Sequence, residues 1–329
     1  MKAIIVDHPG KDSQLKFEVF PRPIPAPDEI LVKVMASGVN RADILQRQGL
    51  YPPPAGTSHI LGLEIAGIVE EVGASVSKWK KGERVFGLLA GGGYAQYAVI
   101  HQHLAMPIPD PLSFEEATAI PEAFLTAFQS LIKLGNLAKN QTVLIHAGGS
   151  GVGTAAIQIA RHIGATVIIT AGSDEKVSRC LGLGATEGIN YRTVDFHHRV
   201  MEITGGKGAD LILDFVGKPF WEKNLSAMAM DGKLILLATM GGASLENCDL
   251  RMFMKKRLTV TGSTLRNRSE EYKINLTREF AHFALPLFRD KSLRAVIDKI
   301  FPWEAVAEAH QYMENNLNFG KIVLSISHE

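Results

Sequence analysis

The chain has 329 residues, of which 46% are apolar and 21% are charged, as in an ordinary globular protein with a full core. Its 35 Lys and Arg residues are balanced by 34 Asp and Glu residues, so the formal net charge is +1. This balance gives no broad electrostatic attraction to nucleic acid or to an anionic membrane.

Length and cysteine content narrow the class of protein further. A chain of this length predicts two domains. Cys180 and Cys248 lie far apart and form no CxxC pattern, which argues against a disulfide framework or a thiolate zinc site. The N-terminus reaches Asp7 too early for a signal-peptide core, and no apolar run approaches the roughly 20 residues that span a bilayer. We therefore expect a cytoplasmic protein without a membrane span.

Residues 1 to about 120 carry short apolar runs that are separated by Pro, Gly and Asp. The runs lie at residues 3–6, 30–34, 65–72 and 84–89, and turn-forming segments occupy residues 21–27 and 91–93. Closely spaced short strands with turns between them predict a compact β-rich domain.

From about residue 121 the pattern changes to strands that alternate with helices. Residues 143–147 form a buried-type strand, and Ala156, Ile159, Ala160 and Ile163 recur on one helix face. Gly164 ends that helix, and further strands are expected at 167–170, 211–214, 234–238 and 258–261. This alternation predicts right-handed βαβ units and a parallel sheet. A helical stretch at 270–288 follows, and a strand at 321–326 could return to complete the first domain.

A glycine-rich turn joins the strand at 143–147 to the helix after it. Four glycines occur within six residues, at 148, 149, 151 and 153. Glycines let the backbone approach a pyrophosphate closely, and a helix N-terminus presents free N–H groups and partial positive charge. The context predicts a dinucleotide-binding loop. The alternative is a flexible loop at an ordinary βα turn.

The residues after the second strand bear on the choice between NAD and NADP. An NAD site usually has Asp or Glu at the end of this strand, but residues 168–173 contain no carboxylate. The donors and cations that follow are Ser173, Lys176, Tyr191 and Arg192. Such groups suit a 2′-phosphate, so we predict NADPH. The alternatives are that Asp174 or Glu175 binds the ribose and that Lys176 is an ordinary exposed lysine.

Several segments together resemble the medium-chain dehydrogenase/reductase superfamily over almost the whole chain. They lie at residues 38–43, 62–64, 67–73, 82–85 and 146–158. Within the superfamily the chain is most similar to the zinc-free quinone oxidoreductase family, and there to its p53-inducible branch. The stretches that carry this likeness are 40–43, 47–51, 120–123, 146–158 and 320–323.

The resemblance implies an α/β fold in which a Rossmann domain is inserted into a GroES-like domain. The doubly wound parallel sheet of the Rossmann domain would occupy residues 121–266, and the β-rich catalytic domain would comprise residues 1–120 and 267–329. The active site would lie between the two domains. The implied activity is NADPH-dependent reduction of quinones or related conjugated carbonyls by a homodimer.

The resemblance also implies which residues bind the cofactor. They are Thr126, Gly148, Gly149, Ser150, Gly151, Val152, Gly172, Ser173, Lys176, Tyr191, Gly217, Met240, Gly241, Thr264 and Leu265. The chain departs from the pattern of many quinone oxidoreductases at Ser150, where they have glycine. Serine at this position resembles the p53-inducible branch, so the substrate preference could differ from that of the bacterial quinone-reducing branch.

Zinc is not expected, because the positions that hold it in zinc-dependent members of the superfamily have changed. Residues 38–40 contain no cysteine, and Leu63 replaces the histidine of Gly-His-Glu. The four-cysteine structural lobe is also missing. Zinc requires thiolate, imidazole or carboxylate ligands in a tetrahedral array, and leucine cannot supply one.

A quinone can be reduced without a Lewis acid, because its ring accepts the charge as a stabilised phenolate. We predict that Asn40 and Tyr51 lie near the substrate and hydrogen-bond its carbonyl oxygen, with Asp43 as a third catalytic candidate. The alternatives are that Tyr51 packs beside prolines 52–54 and that Asn40 and Asp43 cap a turn. His146, on the strand before the glycine loop, is expected to make a core hydrogen bond.

The sequence is also compatible with two other functions. One is an NADPH-dependent reductase of conjugated enals or enones, which the sequence separates poorly from a quinone reductase. The other is a non-catalytic NADPH-binding protein.

Overall fold

The computed structural model describes residues 1–328 and divides the chain into two compact units. One unit comprises Met1–Leu125 with Leu265–Glu329, and the other comprises Thr126–Thr264. The second unit therefore begins slightly after residue 121 and ends slightly before residue 266, the limits predicted from the sequence. Between residues 1 and 328, no helix is both long and apolar enough to cross a membrane.

The described residues form fifteen strands and ten α-helices. The strands are β1 Lys2–Val6, β2 Leu15–Val19, β3 Glu29–Val39, β4 Glu64–Val72, β5 Arg84–Leu88, β6 Tyr97–His101, β7 Ala105–Pro107, β8 Thr142–Ile145, β9 Thr166–Ala171, β10 Glu187–Asn190, β11 Ala209–Asp214, β12 Met228–Leu236, β13 Thr259–Gly262, β14 Ile297–Pro302 and β15 Lys321–Ser325.

The α-helices are α1 Arg41–Arg47, α2 Phe114–Thr118, α3 Pro121–Phe128, α4 Gly151–Ile163, α5 Asp174–Leu183, α6 Phe196–Ile203, α7 Trp221–Ala227, α8 Arg251–Lys256, α9 Glu270–Arg289 and α10 Val306–Glu314. A π-helical turn at Gln129–Leu134 follows α3, and short 3-10 turns occupy Lys218–Phe220 and Trp303–Ala305.

A six-stranded parallel sheet forms the centre of the second unit, in the order β10-β9-β8-β11-β12-β13. Val143, Leu144 and Ile145 of β8 are fully buried, as expected for a strand inside a parallel sheet with both faces covered. The predicted doubly wound parallel sheet is confirmed. The strand order reverses between β8 and β11, and in such sheets ligands bind at the carboxyl ends near this point.

A buried polar chain joins the carboxyl ends of β8, β9 and β11. His146 Nδ1 lies 2.9 Å from Thr170 Oγ1, and His146 Nε2 lies 2.7 Å from Asn224 Oδ1. Asn224 Nδ2 in turn donates to Asp214 Oδ2 at 3.1 Å. Burial lowers the pKa of His146, so a neutral ring donates through Nε2 and accepts at Nδ1. The core hydrogen bond predicted for His146 is confirmed.

Strand β3 is the central strand of the first unit. It pairs antiparallel with β4, β6 and β15, and the sheet path runs β14-β15-β3-β4-β5-β7. β1 and β2 form a separate two-stranded ribbon. Val323 of β15 lies opposite Gly38 of β3, so the last strand of the chain is part of the sheet that the first strands build. Apolar residues of these strands form one core with Tyr94, Trp303 and α10.

Candidate active site and cofactor loop

Strand β3 leads directly into α1, and this junction positions two of the predicted catalytic residues. The backbone N–H of Asn40 donates to Asp43 Oδ2 at 2.8 Å, which caps the start of α1. Asp43 Oδ1 also accepts from the Gly62 N–H at 3.0 Å. Asp43 is fully buried, and burial raises its pKa to about 6. The structure therefore brings Asn40 and Asp43 together in the capping arrangement that was the alternative to a catalytic role.

The Asp43 carboxyl also contacts a buried tyrosine and histidine. Tyr94 Oη lies 3.4 Å from Asp43 Oδ2 and 3.1 Å from His310 Nε2. Burial lowers the pKa of His310 to about 3, so its ring is neutral at physiological pH. With the tyrosine hydroxyl donating to Asp43, His310 donates through Nε2. These contacts hold Asp43 in place below the site.

A buried ion pair lies beside this junction. Lys321 Nζ, on β15, is 2.6 Å from Glu64 Oε1, on β4, and the two residues are 4% and 0% exposed. Lys321 also donates to Asn40 Oδ1 at 2.6 Å and to the Val39 carbonyl at 3.1 Å. A side chain at position 38 would collide with the Glu64 carboxylate, so only glycine fits at Gly38.

The amide of Asn40 is engaged at both ends by this ion pair. Its Nδ2 donates to Glu64 Oε1 at 2.8 Å, while its Oδ1 accepts from Lys321. Nδ2 also lies 3.5 Å from the Gly38 carbonyl oxygen, so a substrate oxygen would compete with this long contact for the second amide hydrogen. The contact between Asn40 and substrate stays a prediction, and the structure assigns Asn40 a role in bridging the ion pair.

Tyr51 lies beside an arginine that the sequence reasoning did not identify. The Arg266 guanidinium carbon is 5.4 Å from the centre of the Tyr51 ring. Arg266 is 6% exposed and uses Nε and Nη2 on the Ala90 carbonyl and on Gln46 Oε1. Its Nη1 is buried and has no hydrogen-bond partner within residues 1–328. Burial raises the pKa of the Tyr51 phenol, so this hydroxyl stays protonated at neutral pH.

Glu122, the second residue of α3, is also not among the site residues predicted from the sequence. Its backbone N–H donates to Glu64 Oε2 at 2.8 Å, which fixes the residue against the ion pair. Its own carboxyl forms no hydrogen bond or ion pair with any of the described residues. Burial, and after it the charge of Glu64, raises the pKa of Glu122 to about 7. The segment 120–123 contributes to the family resemblance, but nothing in that pattern indicates an unpaired carboxyl.

In the second unit, the glycine loop is closed tightly against its neighbours. A Cβ on Gly148 would lie 2.9 Å from Ile169 Cβ and 3.2 Å from Cys180 Sγ. A Cβ on Gly153 would run into the carbonyl groups of Ala147 and Gly148. A larger residue at position 148 would force the loop away from β9 and α5, and one at position 153 would distort the loop itself.

The loop ends in the N-terminus of α4. Ser150 is its N-cap and accepts from the Gly153 N–H through Oγ at 3.0 Å. Gly151 and Val152 form the first turn, which contains no acidic residue, and Gly149 precedes the cap. Small residues, a free helix N-terminus and the absence of negative charge in that turn fit a pyrophosphate. Ser150, which stands where many quinone oxidoreductases have glycine, therefore fits the loop as the N-cap of α4.

The groups predicted to contact a 2′-phosphate lie together after β9 and β10. A Cβ on Gly172 would lie 3.1 Å from Tyr191 Oη and 3.5 Å from Arg192 Nε. Ser173 caps α5 by accepting from the Lys176 N–H at 3.3 Å.

The two nearby carboxylates are engaged elsewhere. Asp174 accepts from Asn190 Nδ2 at 2.8 Å, and Glu175, whose side chain is 80% exposed, lies 3.9 Å from Arg179 on the helix surface.

The remaining predicted cofactor residues follow other elements of the chain. Gly217, with φ +80°, follows β11, while Met240 and Gly241 follow β12 and donate their N–H groups to the Phe215 and Val216 carbonyls. These loops lie at the same carboxyl edge of the sheet as the glycine loop. Thr126 lies in α3 and is partly buried; Thr264 is exposed and Leu265 is buried, both just after β13.

Comparison with known proteins identifies the two units. Residues 26–110 match the family model described as an alcohol dehydrogenase GroES-like domain, and residues 151–281 match one described as a zinc-binding dehydrogenase. The chain is 33% identical to the quinone oxidoreductase of Homo sapiens over 88% of this chain and 86% of that protein.

Two solved structures resemble the whole chain. Escherichia coli quinone oxidoreductase complexed with NADPH superposes with a TM-score of 0.89 and 31% identity, covering 99% of this chain and 100% of that one. CurK enoyl reductase superposes with a TM-score of 0.88 and 28% identity, covering 99% of each chain. The GroES-like and Rossmann-like fold assignments are confirmed.

The donor set does not fit zinc, although one family model carries zinc in its description. Leu63 is buried beside Glu64, whose carboxylate accepts from Lys321, Asn40 and the Glu122 N–H. Across residues 1–328, no three His, Cys, Asp or Glu side chains are grouped so as to hold a metal ion. We therefore derive no step through a metal.

The buried ion pair leads to a test of stability. Lys321→Met leaves the Glu64 carboxylate buried without its cation, so we expect the free energy of unfolding to fall by about 3–5 kcal/mol. Urea denaturation measures this loss. The matched control is Lys81→Met, because Lys81 is 70% exposed in its pair with Glu70 and should cost at most about 1 kcal/mol. Equal losses in the two variants would contradict the assignment.

Proposed function

Because the chain belongs to the medium-chain dehydrogenase/reductase superfamily and its quinone oxidoreductase family, we propose that it is a cytoplasmic, NADPH-dependent quinone reductase that works without a metal. The observation that carries this proposal is the pairing of Tyr51 with Arg266, whose Nη1 is a hydrogen-bond donor without a partner among the described residues. The free thiol of exposed Cys248 supports a reducing compartment.

The chain's own residues would act on the charge that develops on the substrate. The bound nicotinamide supplies the hydride, and the quinone oxygen becomes a phenolate. Arg266 Nη1 and the Tyr51 hydroxyl are the donors that would stabilise this oxygen. Because Arg266 is buried and Tyr51 is partly buried, hydrogen bonds from them to the anion would be stronger than in solvent. Asn40 and Asp43 would act behind them by keeping the β3–α1 junction in place.

We propose NADPH as the cofactor because the residues around Gly172 offer donors and cations, and β9 ends without a carboxylate. Tyr191 and Arg192 lie beside Gly172 at the end of β9, Lys176 follows in the first turn of α5, and Asp174 accepts a hydrogen bond from Asn190. The solved structure of the Escherichia coli relative contains NADPH, which supports the same choice. The nearer likeness to the p53-inducible branch stays a prediction.

Cofactor preference can be tested by titrating the apo protein with NADPH and NADH while following nicotinamide fluorescence. We expect Lys176→Ala to weaken NADPH binding by about ten- to a hundredfold and to leave NADH binding nearly unchanged, because a charge-assisted phosphate contact contributes roughly 1.5–3 kcal/mol. Lys207→Ala, at an exposed lysine paired with Asp210, is the control and should change neither affinity. Equal binding of NADPH and NADH by both the wild type and the mutant would contradict the NADPH assignment.

The reaction itself can be tested by single-turnover oxidation of NADPH with a panel of quinones, enals and enones. We expect quinones to react fastest, and Tyr51→Phe to lower kcat/KM by on the order of tenfold or more through loss of one donor to the oxyanion. Tyr97→Phe, on β6, is the matched control and should retain full activity. Cofactor binding without oxidation by any member of the panel would indicate a non-catalytic NADPH-binding protein.

A second candidate substrate class is the conjugated enals and enones. The unpaired carboxyl of Glu122 favours it, because reduction of a C=C bond ends with protonation of carbon and needs an acid. The likeness to CurK enoyl reductase points the same way.

We also propose that the protein is a homodimer. β13 ends the six-stranded sheet and, within residues 1–328, pairs with β12 only, so its other edge is open to a second chain. Met254 and Leu250 on and beside α8, which precedes β13, are 74% and 68% exposed. Sedimentation equilibrium should give twice the chain mass of 35.8 kDa, and a mass of one chain at micromolar concentration would contradict the proposal.

A further inference from the structure

Glu122 stands out because it is a carboxyl inside the site with no partner. Resting on the proposed function, we propose that the Glu122 carboxyl donates the proton that completes reduction of the bound carbonyl compound, while Arg266 holds the substrate oxygen. Neither residue was among the catalytic candidates that the sequence supplied.

The proton is required by the balance of the reaction. The substrate gains two electrons as a hydride from the bound cofactor, which is oxidised, and it must also gain one proton. For a quinone, that proton forms an O–H bond on the phenolate oxygen as the Glu122 O–H bond breaks. For an enone, it forms a C–H bond at the α carbon of the enolate. The resulting Glu122 carboxylate then takes a proton from water.

The ion pair beside Glu122 explains why this carboxyl is left unpaired. Lys321, a buried cation whose charge acts on Glu122, is already paired with Glu64 at 2.6 Å and with Asn40. Glu64 accepts the backbone N–H of Glu122 at 2.8 Å, so the main chain of Glu122 is fixed while its side chain stays free. Glu122 is partly buried, whereas Glu64 and Asp43 are fully buried, so Glu122 is the most exposed of the three residues.

The charges around Glu122 set the pH at which it can act. The groups are Glu64 on β4, Lys321 on β15, Asp43 on α1, Arg266 after β13 and Tyr51 after α1. Burial and then Glu64 raise the pKa of Glu122 to about 7, against the opposing effect of Lys321 and Arg266. Burial, and after it the charge of Glu122, raises the pKa of Tyr51.

The other ionisable groups of the site are less suited to donate a proton. Tyr51 has a pKa raised above its usual value of 10.0, so it is a weak acid near neutral pH and serves better as a hydrogen-bond donor. Asp43 is enclosed by the N–H groups of Asn40 and Gly62 and by Tyr94. Glu122 combines a carboxyl that has no partner among the described residues with a pKa near the working pH, the condition under which a general acid is most effective.

The test compares the pH dependence of kcat for wild type, Glu122→Gln and Glu122→Asp. An acid with a raised pKa is protonated below about pH 7, so wild-type kcat should fall about tenfold per pH unit above that value. Glu122→Gln should lower kcat by about 10²- to 10⁴-fold and abolish this decline. Glu122→Asp, which keeps a carboxyl, should retain the decline and part of the wild-type kcat. The matched control is Glu18→Gln, at an exposed position on β2, which should keep the wild-type profile.

A second measurement needs no turnover. The carboxylic-acid C=O stretch of the apo protein, recorded by difference infrared spectroscopy with labelled glutamate, should contain a band that titrates near pH 7 and is missing from folded Glu122→Gln. An unchanged pH decline in active Glu122→Gln, or no such band, would overturn the role of Glu122 alone. If the wild-type protein fails to oxidise NADPH with every quinone and enone in the panel, the proposed function is overturned, and the role of Glu122 is overturned with it.

Discussion

The first unit is organised around one buried interaction, the ion pair between Lys321 and Glu64. Two charges withdrawn from water are tolerated only if each is paired and its remaining hydrogen-bonding capacity is used. Lys321 meets this condition with Glu64, Asn40 and the Val39 carbonyl. Because Lys321 begins β15 and Glu64 begins β4, the pair joins the end of the chain to strands formed by its first part. The glycine at position 38 is required by the same pair, since a side chain there would displace the carboxylate.

The polar groups of the site differ in how completely they are paired. Asn40, Asp43 and Glu64 have their partners within the protein and form a rigid base. Arg266 Nη1 and the Glu122 carboxyl lack partners among the described residues, and Arg266 lies beside the Tyr51 ring. Polar groups without partners are costly in the interior of a folded protein, so these two groups are the ones to which the proposed function assigns contact with a ligand.

The second unit depends on steric rather than electrostatic constraints. Its glycine loop lies so close to β9 and α5 that a Cβ on Gly148 would contact Ile169 and Cys180. Behind the strand ends, the chain from Thr170 through His146 and Asn224 to Asp214 satisfies each buried polar group. The positions of the loops at the carboxyl ends of the strands therefore follow from backbone packing, and in the proposed function the side chains after β9 would decide which cofactor is preferred.

The sequence by itself determined the parallel sheet, the glycine loop and the absence of a carboxylate at the end of β9, because strand and helix periodicity, glycine content and residue type are local properties. It did not predict short strands such as β10, whose four residues include a glycine and carry little apolar pattern. Tyr51, Asn40 and Asp43 could be named because they lie in motif segments. Only the tertiary structure decided that Lys321 neutralises Glu64, that Arg266 reaches Tyr51 and that Glu122 is left unpaired. These residues are distant in the chain, and both pairing and burial are set by how the strands and helices pack.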